Sequence, residues 1–182
     1  MRTVSASLFA SVDGVLENPG GWQFDQFDDG LGELMMTELP KSDTVILGRQ
    51  MYDEWSAYWP SAEDDFKDYI NPIKKYVAST SLSGPLEWEN SELIEGDLVE
   101  FVRELKQQEG GDINVAGSLS VVRQLLLAGV LDKITLMIHP VLVGEGKRLT
   151  EEVTPVTRLT LIDHKITEKG NALMTYALKA DV

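Results

Sequence analysis

The sequence predicts an α/β fold in which a mostly parallel central sheet of about eight strands ends in an antiparallel edge and carries about four helices on its two faces. Three observations lead there. Two short apolar runs, Val45-Ile46-Leu47 and Ile113-Asn114-Val115-Ala116, stop at glycine and pass directly into helical spacing. Strand and helix patterns alternate through most of the chain. Its last part reads as successive strands, the final two joined by the hairpin turn Lys169-Gly170-Asn171.

The first strand covers 3–10, where small and apolar residues nearly alternate and Ser5 and Ser7 leave one face open to a ligand. The stretch 11–22 contains too much Gly and Pro for regular structure yet keeps Val15, Leu16 and Trp22, the composition of a covering loop. A helix fits 29–39, with Leu31, Leu34, Met35 and Leu39 on one side and Pro40 as its stop. The second strand is 43–47, and the helix after Gly48 places Met51, Tyr52 and Trp55 together until Trp59-Pro60 breaks it. A further helical turn is expected over 62–69 and a third strand over 75–78. Two short strand-like pieces flank Asn90 between 86 and 95, and Asp97 caps a helix striped by Leu98, Phe101, Val102 and Leu105. The strand 112–116 and the helix 119–128 follow. Alternation over 132–143 predicts one long strand, then 157–167 and 172–178 supply the last two. The long strand is also the expected homodimer edge. With no linker composition inside it, the chain reads as one domain over 1–182.

At 182 residues and 43% apolar composition, the chain is large enough for a substantial core. There is no cysteine, which excludes thiol catalysis and thiolate metal sites, and the two isolated histidines, His139 and His164, argue against a metal centre. His139, beside Pro140, is expected to be a satisfied structural histidine, and His164 to lie on an exposed late strand. A formal charge of −14, from 16 basic and 30 acidic residues, argues against nucleic acid as a partner. No apolar run reaches the roughly 20 residues that span a bilayer, and no signal-peptide pattern opens the chain, so a cytoplasmic protein without a membrane partner is expected.

The two glycine junctions carry the functional signal. A parallel strand that ends in glycine before a helix leaves backbone N–H groups facing the strand's carboxyl end, where phosphate binds. Arg49 adds a guanidinium at one junction, and Ser118 adds a hydroxyl cap at the other, consistent with one long anionic ligand across both. The alternative is that each glycine only ends its strand. Ser79-Thr80-Ser81 at the third strand's end reads either as a plain turn or as a phosphate or ribose contact.

Four segments in order, Ser11-Val12-Asp13-Gly14, Leu47-Gly48-Arg49-Gln50-Met51-Tyr52, Asn114-Val115-Ala116-Gly117-Ser118 and Ile138-His139-Pro140-Val141-Leu142-Val143-Gly144, resemble the dihydrofolate reductase-like superfamily. The likeness covers nearly the whole chain and is nearest to the riboflavin-biosynthesis reductase domain, the C-terminal half of a bifunctional deaminase-reductase, and its stand-alone relatives. It implies the three-layer dihydrofolate reductase-like fold, an NADPH cofactor and a homodimer. It also implies that Gly48 and Arg49 meet the ribose phosphate of the cofactor, that Ser79 and Thr80 hold the same end, and that Ala116, Gly117, Ser118 and Leu119 surround the pyrophosphate. Ala10, Asp13 and Gly14 match the segment lying over the nicotinamide. The chain departs from the family at Met51, where threonine is common, at Ala116, where glycine often stands, and at Glu145, an acid that disfavours a phosphorylated substrate nearby.

The resemblance implies hydride transfer to a small heterocycle of the pterin, folate or pyrimidine class; a ligand-binding homodimer without turnover is the alternative. Folate reductases place a carboxyl on the first helix, and Asp25, Asp28 and Asp29 cluster at its start. Asp28 and Asp29 are therefore candidates for proton donation, with helix capping as the competing role and water as the alternative proton source. Trp22, Phe24 and Phe27 precede that helix as candidates for stacking on a planar substrate, with core packing as the ordinary explanation.

Overall fold

The computed structural model describes residues 1–150 and 155–178. In chain order its strands are β1 (Val4–Ser11), β2 (Ser42–Gly48), β3 (Lys74–Ala78), β4 (Ser91–Leu93), β5 (Asp112–Gly117), β6 (Lys133–His139), β7 (Leu159–Ile166) and β8 (Ala172–Leu178). Its α-helices are α1 (Asp29–Glu38), α2 (Arg49–Tyr58), the single turn α3 (Lys67–Ile70), α4 (Leu98–Gln107) and α5 (Leu119–Leu127). The eight strands form one sheet in the order β4-β3-β2-β5-β1-β6-β8-β7. The first six in that order are parallel, and β8 and β7 close it antiparallel.

Alternation along β2 shows how the sheet divides its two faces. Ile46 enters a cluster with Val4, Ile113, Val115 and Ile134 beneath Val102 and Leu105 of α4 and Val122 and Leu125 of α5. Val45 and Leu47 point the other way and pack with Tyr52 of α2, Ile70 of α3, Val77 and Trp88. On that second face Leu31 of α1 forms a separate cluster with Met137 and Leu173. Between the two helix-covered areas Ser5, Ser7, Asn114 and Thr135 line a shallow depression of about 20 Å³, water-sized rather than ligand-sized.

Several boundaries differ from expectation. The long strand over 132–143 ends at His139, because Pro140 has no N–H to give the ladder and the Val141 amide turns back to the His139 carbonyl at 2.7 Å; farther on, the carboxylate of Asp13 holds the amides of Val143 and Gly144. β6 also lies inside the sheet, paired with β1 and β8, so it offers no open edge; the edges are β4 and β7, and β7 exposes Leu161, Ile162 and Ile166. The helical turn over 62–69 is reduced to α3. Only one strand forms between 86 and 95, since Asn90 turns the chain with φ of 55°. Asp97 caps α4 as expected, accepting from the amides of Val99 and Glu100.

Lys75 is the unexpected core residue. It is fully buried, and its Nζ donates to the carbonyls of Ile70 (2.9 Å), Asn71 (2.7 Å) and Ile73 (2.8 Å) while lying 4.4 Å from the Trp88 ring centroid. The ammonium thus takes up carbonyls that α3 leaves open at its end. Burial nevertheless pushes its pKa from 10.5 down to about 8. The unfolded chain therefore binds more protons between those values, and stability gained from this group rises as pH climbs from about 8 to 10.5. Lys75→Met is expected to abolish that rise in urea titrations and, by orphaning three carbonyls, to cost about 2 kcal/mol or more at neutral pH.

Candidate functional site

The carboxyl ends of β3, β2, β5, β1 and β6 stand side by side along one rim of the sheet, as their parallel pairing requires. Ala78 pairs with Gly48, Leu47 with Gly117, and Ser11 with His139. The segments that sequence reading singled out separately therefore meet along one line.

At its centre the two glycine turns touch. A methyl group at Gly48 would collide with the Ser118 hydroxyl and come within 2.9 Å of the Ser118 backbone nitrogen. Gly117 has φ of 133°, a conformation that side chains rarely tolerate, and the end of Met51 lies 3.0 Å from where its Cβ would be. Neither α2 nor α5 has a side-chain cap: Gly48 has no side chain to offer, and the Ser118 hydroxyl makes no capping bond, lying instead 3.3 Å from that of Ser120. The expected hydroxyl cap at Ser118 is thereby corrected. By contrast α1 and α4 are capped by Asp28 and Asp97. The two helices that start at the rim keep their first amides free of side-chain acceptors.

Arg49 is half exposed at the start of α2, donating through Nη1 to Ser81 Oγ (2.5 Å) and through Nε to Asp53 Oδ2 (3.2 Å). Ser79 Oγ accepts from the amides of Ser81 and Leu82 and so builds the turn after β3, while Thr80 is exposed on it. Ser81, within the hydroxyl cluster but not matched to the family pattern, is the one that holds the arginine. Ala116 packs on the α2 side of the sheet, whereas Leu119 and Ala10 belong to the core beneath α4 and α5.

The β1 exit is fastened to the β6 exit. Asp13 accepts from Ser11 Oγ (2.6 Å) and the amides of Val143 (3.1 Å) and Gly144 (2.8 Å), and Arg148 Nε donates to the Asp13 carbonyl at 3.2 Å. Gly14 turns the chain between them with φ of 82°. The Ser11 hydroxyl and the two amides hold the Asp13 carboxyl at about 2. Val143, Gly144 and Arg148 were invisible as partners because more than a hundred residues separate them from Asp13.

The candidate carboxyls of α1 lie at and beyond the β6–β8 end of this line, away from the two glycine turns. Asp28 Oδ1 accepts from the Leu31 amide (3.1 Å), and its Oδ2 accepts from the Lys169 amide (3.0 Å) and Asn171 Nδ2 (3.3 Å). Burial raises its pKa, but hydrogen bonds from Thr167, Lys169, Leu31 and Asn171 outweigh that and hold it below the ordinary carboxylate value. A carboxylate kept ionised in this way suits capping and hairpin anchoring better than proton donation. Asp29 is exposed in the first turn of the same helix, and Asp25 is exposed before it.

Of the aromatic candidates, Trp22 is half-buried and lies edge-on to His139, centroids 5.6 Å apart at 88°, with its Nε1 donating to the Glu17 carbonyl. Phe24 is 78% exposed and Phe27 40% exposed. His139 departs from the satisfied histidine expected: Nδ1 bonds the Met137 carbonyl at 3.0 Å, but the buried Nε2 has no partner. His164 is exposed on β7, as expected.

The model of the RibD C-terminal domain family matches residues 2–174. The uncharacterized protein YyaP of Bacillus subtilis (strain 168) is 29% identical over 184 residues, covering 96% of this chain and 94% of its own. Among solved structures, a candidate riboflavin biosynthesis protein from Shewanella sp. PV-4 superposes with a TM-score of 0.75 at 19% identity, over 97% of this chain and 99% of its own. A diaminohydroxyphosphoribosylaminopyrimidine deaminase/5-amino-6-(5-phosphoribosylamino)uracil reductase from Thermotoga maritima gives a TM-score of 0.68 at 12% identity, over 98% of this chain and 57% of its own. At these identities the structures share the fold.

Two outcomes test the rim. Gly48→Ala is expected to separate the β2 and β5 ends and cost about 2 kcal/mol or more in denaturant unfolding, as overpacking of a closed contact does. The folded Asp13 carboxyl, at about 2, lies below its ordinary 3.8, so its stabilising contribution is full above 3.8 and lost as pH falls through about 2. Asp13→Asn is expected to flatten that part of the acid-unfolding profile and to speed proteolysis within 140–148.

Proposed function

Because this chain belongs to the RibD C-terminal domain family, we propose that it is an NADPH-dependent reductase that delivers a hydride to a small heterocycle of the pterin, folate or pyrimidine class. The observation that carries this reading is the contact of Gly48 with Ser118 between two helix starts lacking side-chain caps, with a half-exposed guanidinium at Arg49 beside them. That cradle fits a dinucleotide: the missing Cβ at Gly48 lets the two turns close on each other so that both helix starts face one place, and the free amides and the guanidinium are the donors that a pyrophosphate and a ribose phosphate require. The pyrimidine class is supported by the reductase activity in the name of the Thermotoga maritima relative.

In this reading Arg49 binds the ribose phosphate, exchanging its bond to Asp53 for the stronger fork to phosphate, while Ser79, Thr80 and Ser81 shape that end of the site. Gly117, Ser118 and Leu119 present the α5 amides to the pyrophosphate, and the loop pinned by Asp13 closes over the reacting ring. NADPH, when bound, supplies the hydride. Trp22, Phe24 and Phe27 orient the planar substrate and exclude water. The proton comes from water, since Asp28 is committed to its four donors. The protein works as a homodimer, supported by the free edge of β7 and its exposed Leu161, Ile162 and Ile166. A second reading, nucleotide binding without turnover, is favoured by Met51, whose thioether end lies against Gly117 where a hydroxyl is usual in the family.

Arg49→Ala is expected to weaken NADPH binding about tenfold or more, as loss of a charge-assisted fork does, while changing NADH binding by less than about twofold. Cofactor fluorescence measures both, and equal weak binding of the two nucleotides would overturn the cofactor assignment. Absorbance loss near roughly 340 nm, the reduced nicotinamide band, against a panel of pterins, dihydrofolate and aminopyrimidines separates enzyme from binder.

A further inference from the structure

At the far end of the same rim, two buried polar side chains each keep one acceptor unused. The β6–β8 ladder pairs Met137 with Leu173 and Ile138 with Ala172, so one further step sets His139 opposite Asn171. Both fall on the face where Met137 and Leu173 pack against α1, and both have 0% exposure. Side chains in such opposed positions stand about 5 Å apart at Cβ.

Their hydrogen bonds fix which atoms are left over. The Met137 carbonyl can only accept, so His139 Nδ1 is the donor there, and in the tautomer with its proton at Nδ1 the ring presents a lone pair at Nε2. Asn171 Nδ2 donates to the Gln26 carbonyl (2.7 Å) and to Asp28 Oδ2 (3.3 Å), both acceptors, which fixes the amide orientation and leaves Oδ1 as the free atom. Among the described residues neither His139 Nε2 nor Asn171 Oδ1 has a partner. Buried acceptors without donors are rare in native proteins because they forgo their bonds to water for nothing.

The surroundings say what kind of donor is missing. Phe9 and Trp22 flank the His139 ring edge-on, with centroids 5.7 and 5.6 Å away, so the acceptors sit in an aromatic frame. Ser11 pairs with His139 on its other side, which places them beside the start of the loop pinned by Asp13. The cover is the segment 19–26, built on short-range turns such as Trp22 and Gln23 to the Pro19 carbonyl and Gln26 to that of Gln23, and held to the hairpin at its end by Lys169 Nζ on the Asp25 carbonyl (2.8 Å) and Asn171 Nδ2 on the Gln26 carbonyl, so that lifting at Trp22 hinges on 25–26 and keeps the Asn171 amide in place. It contains a third unpartnered buried acceptor, Gln23 Oε1. An anionic group would meet only lone pairs there, whereas a flat ring carrying N–H donors would satisfy them.

We propose that His139 Nε2 and Asn171 Oδ1 form a paired acceptor that reads the amino edge of a nitrogen heterocycle, admitted when Trp22 and its segment lift. The assignment rests on the reductase reading for its location beside the reacting ring, and it makes these two side chains the specificity determinants of the substrate. It selects amino-substituted heterocycles over oxygenated or anionic ones by donor count.

The test uses the full chain, aminopyrimidine and its unsubstituted parent pyrimidine as probes, each titrated with and without NADPH. In protein labelled with nitrogen-15 at its two histidines, aminopyrimidine is expected to displace the His139 Nε2 resonance and leave His164 unmoved, and to bind at least about tenfold more tightly than pyrimidine. His139→Phe keeps the ring volume and deletes the lone pair, and is expected to erase that preference while leaving NADPH affinity unchanged. An unmoved His139 resonance, equal affinity for the two probes, or a preference that survives in His139→Phe would overturn the proposal, a buried water then being the sole partner of the pair. If aminopyrimidine moves His139 but NADPH does not bind, the acceptor pair stands and the reductase reading falls; if NADPH binds and His139 does not respond, the reverse holds.

Discussion

The approach of Gly48 to Ser118 is the constraint around which the rim is organised. Two parallel strands, β2 and β5, end at the same level, and the helices that follow both begin there. Their backbones can close only if one residue lacks a Cβ, because a methyl at Gly48 would occupy the position of the Ser118 hydroxyl. Closure brings two helix starts to one place, and in both the first amides lack side-chain acceptors. Elsewhere the chain does the opposite, spending Asp28 and Asp97 to cap α1 and α4. The contrast within one molecule separates helix starts that serve only the fold from those that concentrate positive potential at a rim. It matters in a protein of net charge −14, where an anion needs short-range donors to overcome the general field.

Two aspartates fasten the long irregular stretch that follows β1, and each does so with its charge. Asp13 holds the exit of β1 to the exit of β6 through two amides, and Asp28 holds the start of α1 to the β7–β8 hairpin through the Lys169 amide and the side chain of Asn171. Between these clasps Leu16 and Glu17 are tied to Lys147 and the carbonyls of Asp25 and Gln26 to Lys169 and Asn171, while short-range turns carry the chain across 18–23, where Trp22 covers His139. Movement of that middle stretch leaves the sheet's own ladder intact. The same clasp leaves Asn171 with its amide hydrogens committed and its carbonyl oxygen free, so the hairpin anchor and the proposed recognition pair are two uses of one side chain.

Local pattern reported local facts well. The strand 172–178, the capping of α4 by Asp97 and the stop of α1 before Pro40 each depend on neighbours a few residues away, and each is found as expected. Where pattern misled, a distant partner had intervened. Alternation continues past His139, but β6 stops there with Pro140 and the turn of the Val141 amide onto the His139 carbonyl, and the distant Asp13 then holds Val143 and Gly144 away from the ladder. Ser118 has the residue type and backbone position of a cap, yet its hydroxyl lies against Gly48, seventy residues away, and caps nothing. Lys75 opens the expected third strand, and the carbonyls at the end of α3 and the face of Trp88, which no local spacing points to, account for its burial.

What the sequence determined by itself was the set of elements, the two glycine junctions and the guanidinium at one of them, because periodicity, chain breakers and charge act over a few residues. What only the tertiary structure decided was adjacency: that the junctions touch, that β7 is an edge strand while β6 is not, and that the chain just past the last β6–β8 pair carries His139 and Asn171, each with a buried acceptor to spare among the described residues. Adjacency is set by strand order and register, which depend on contacts between residues far apart in the chain, and no local spacing encodes which strand end will meet which.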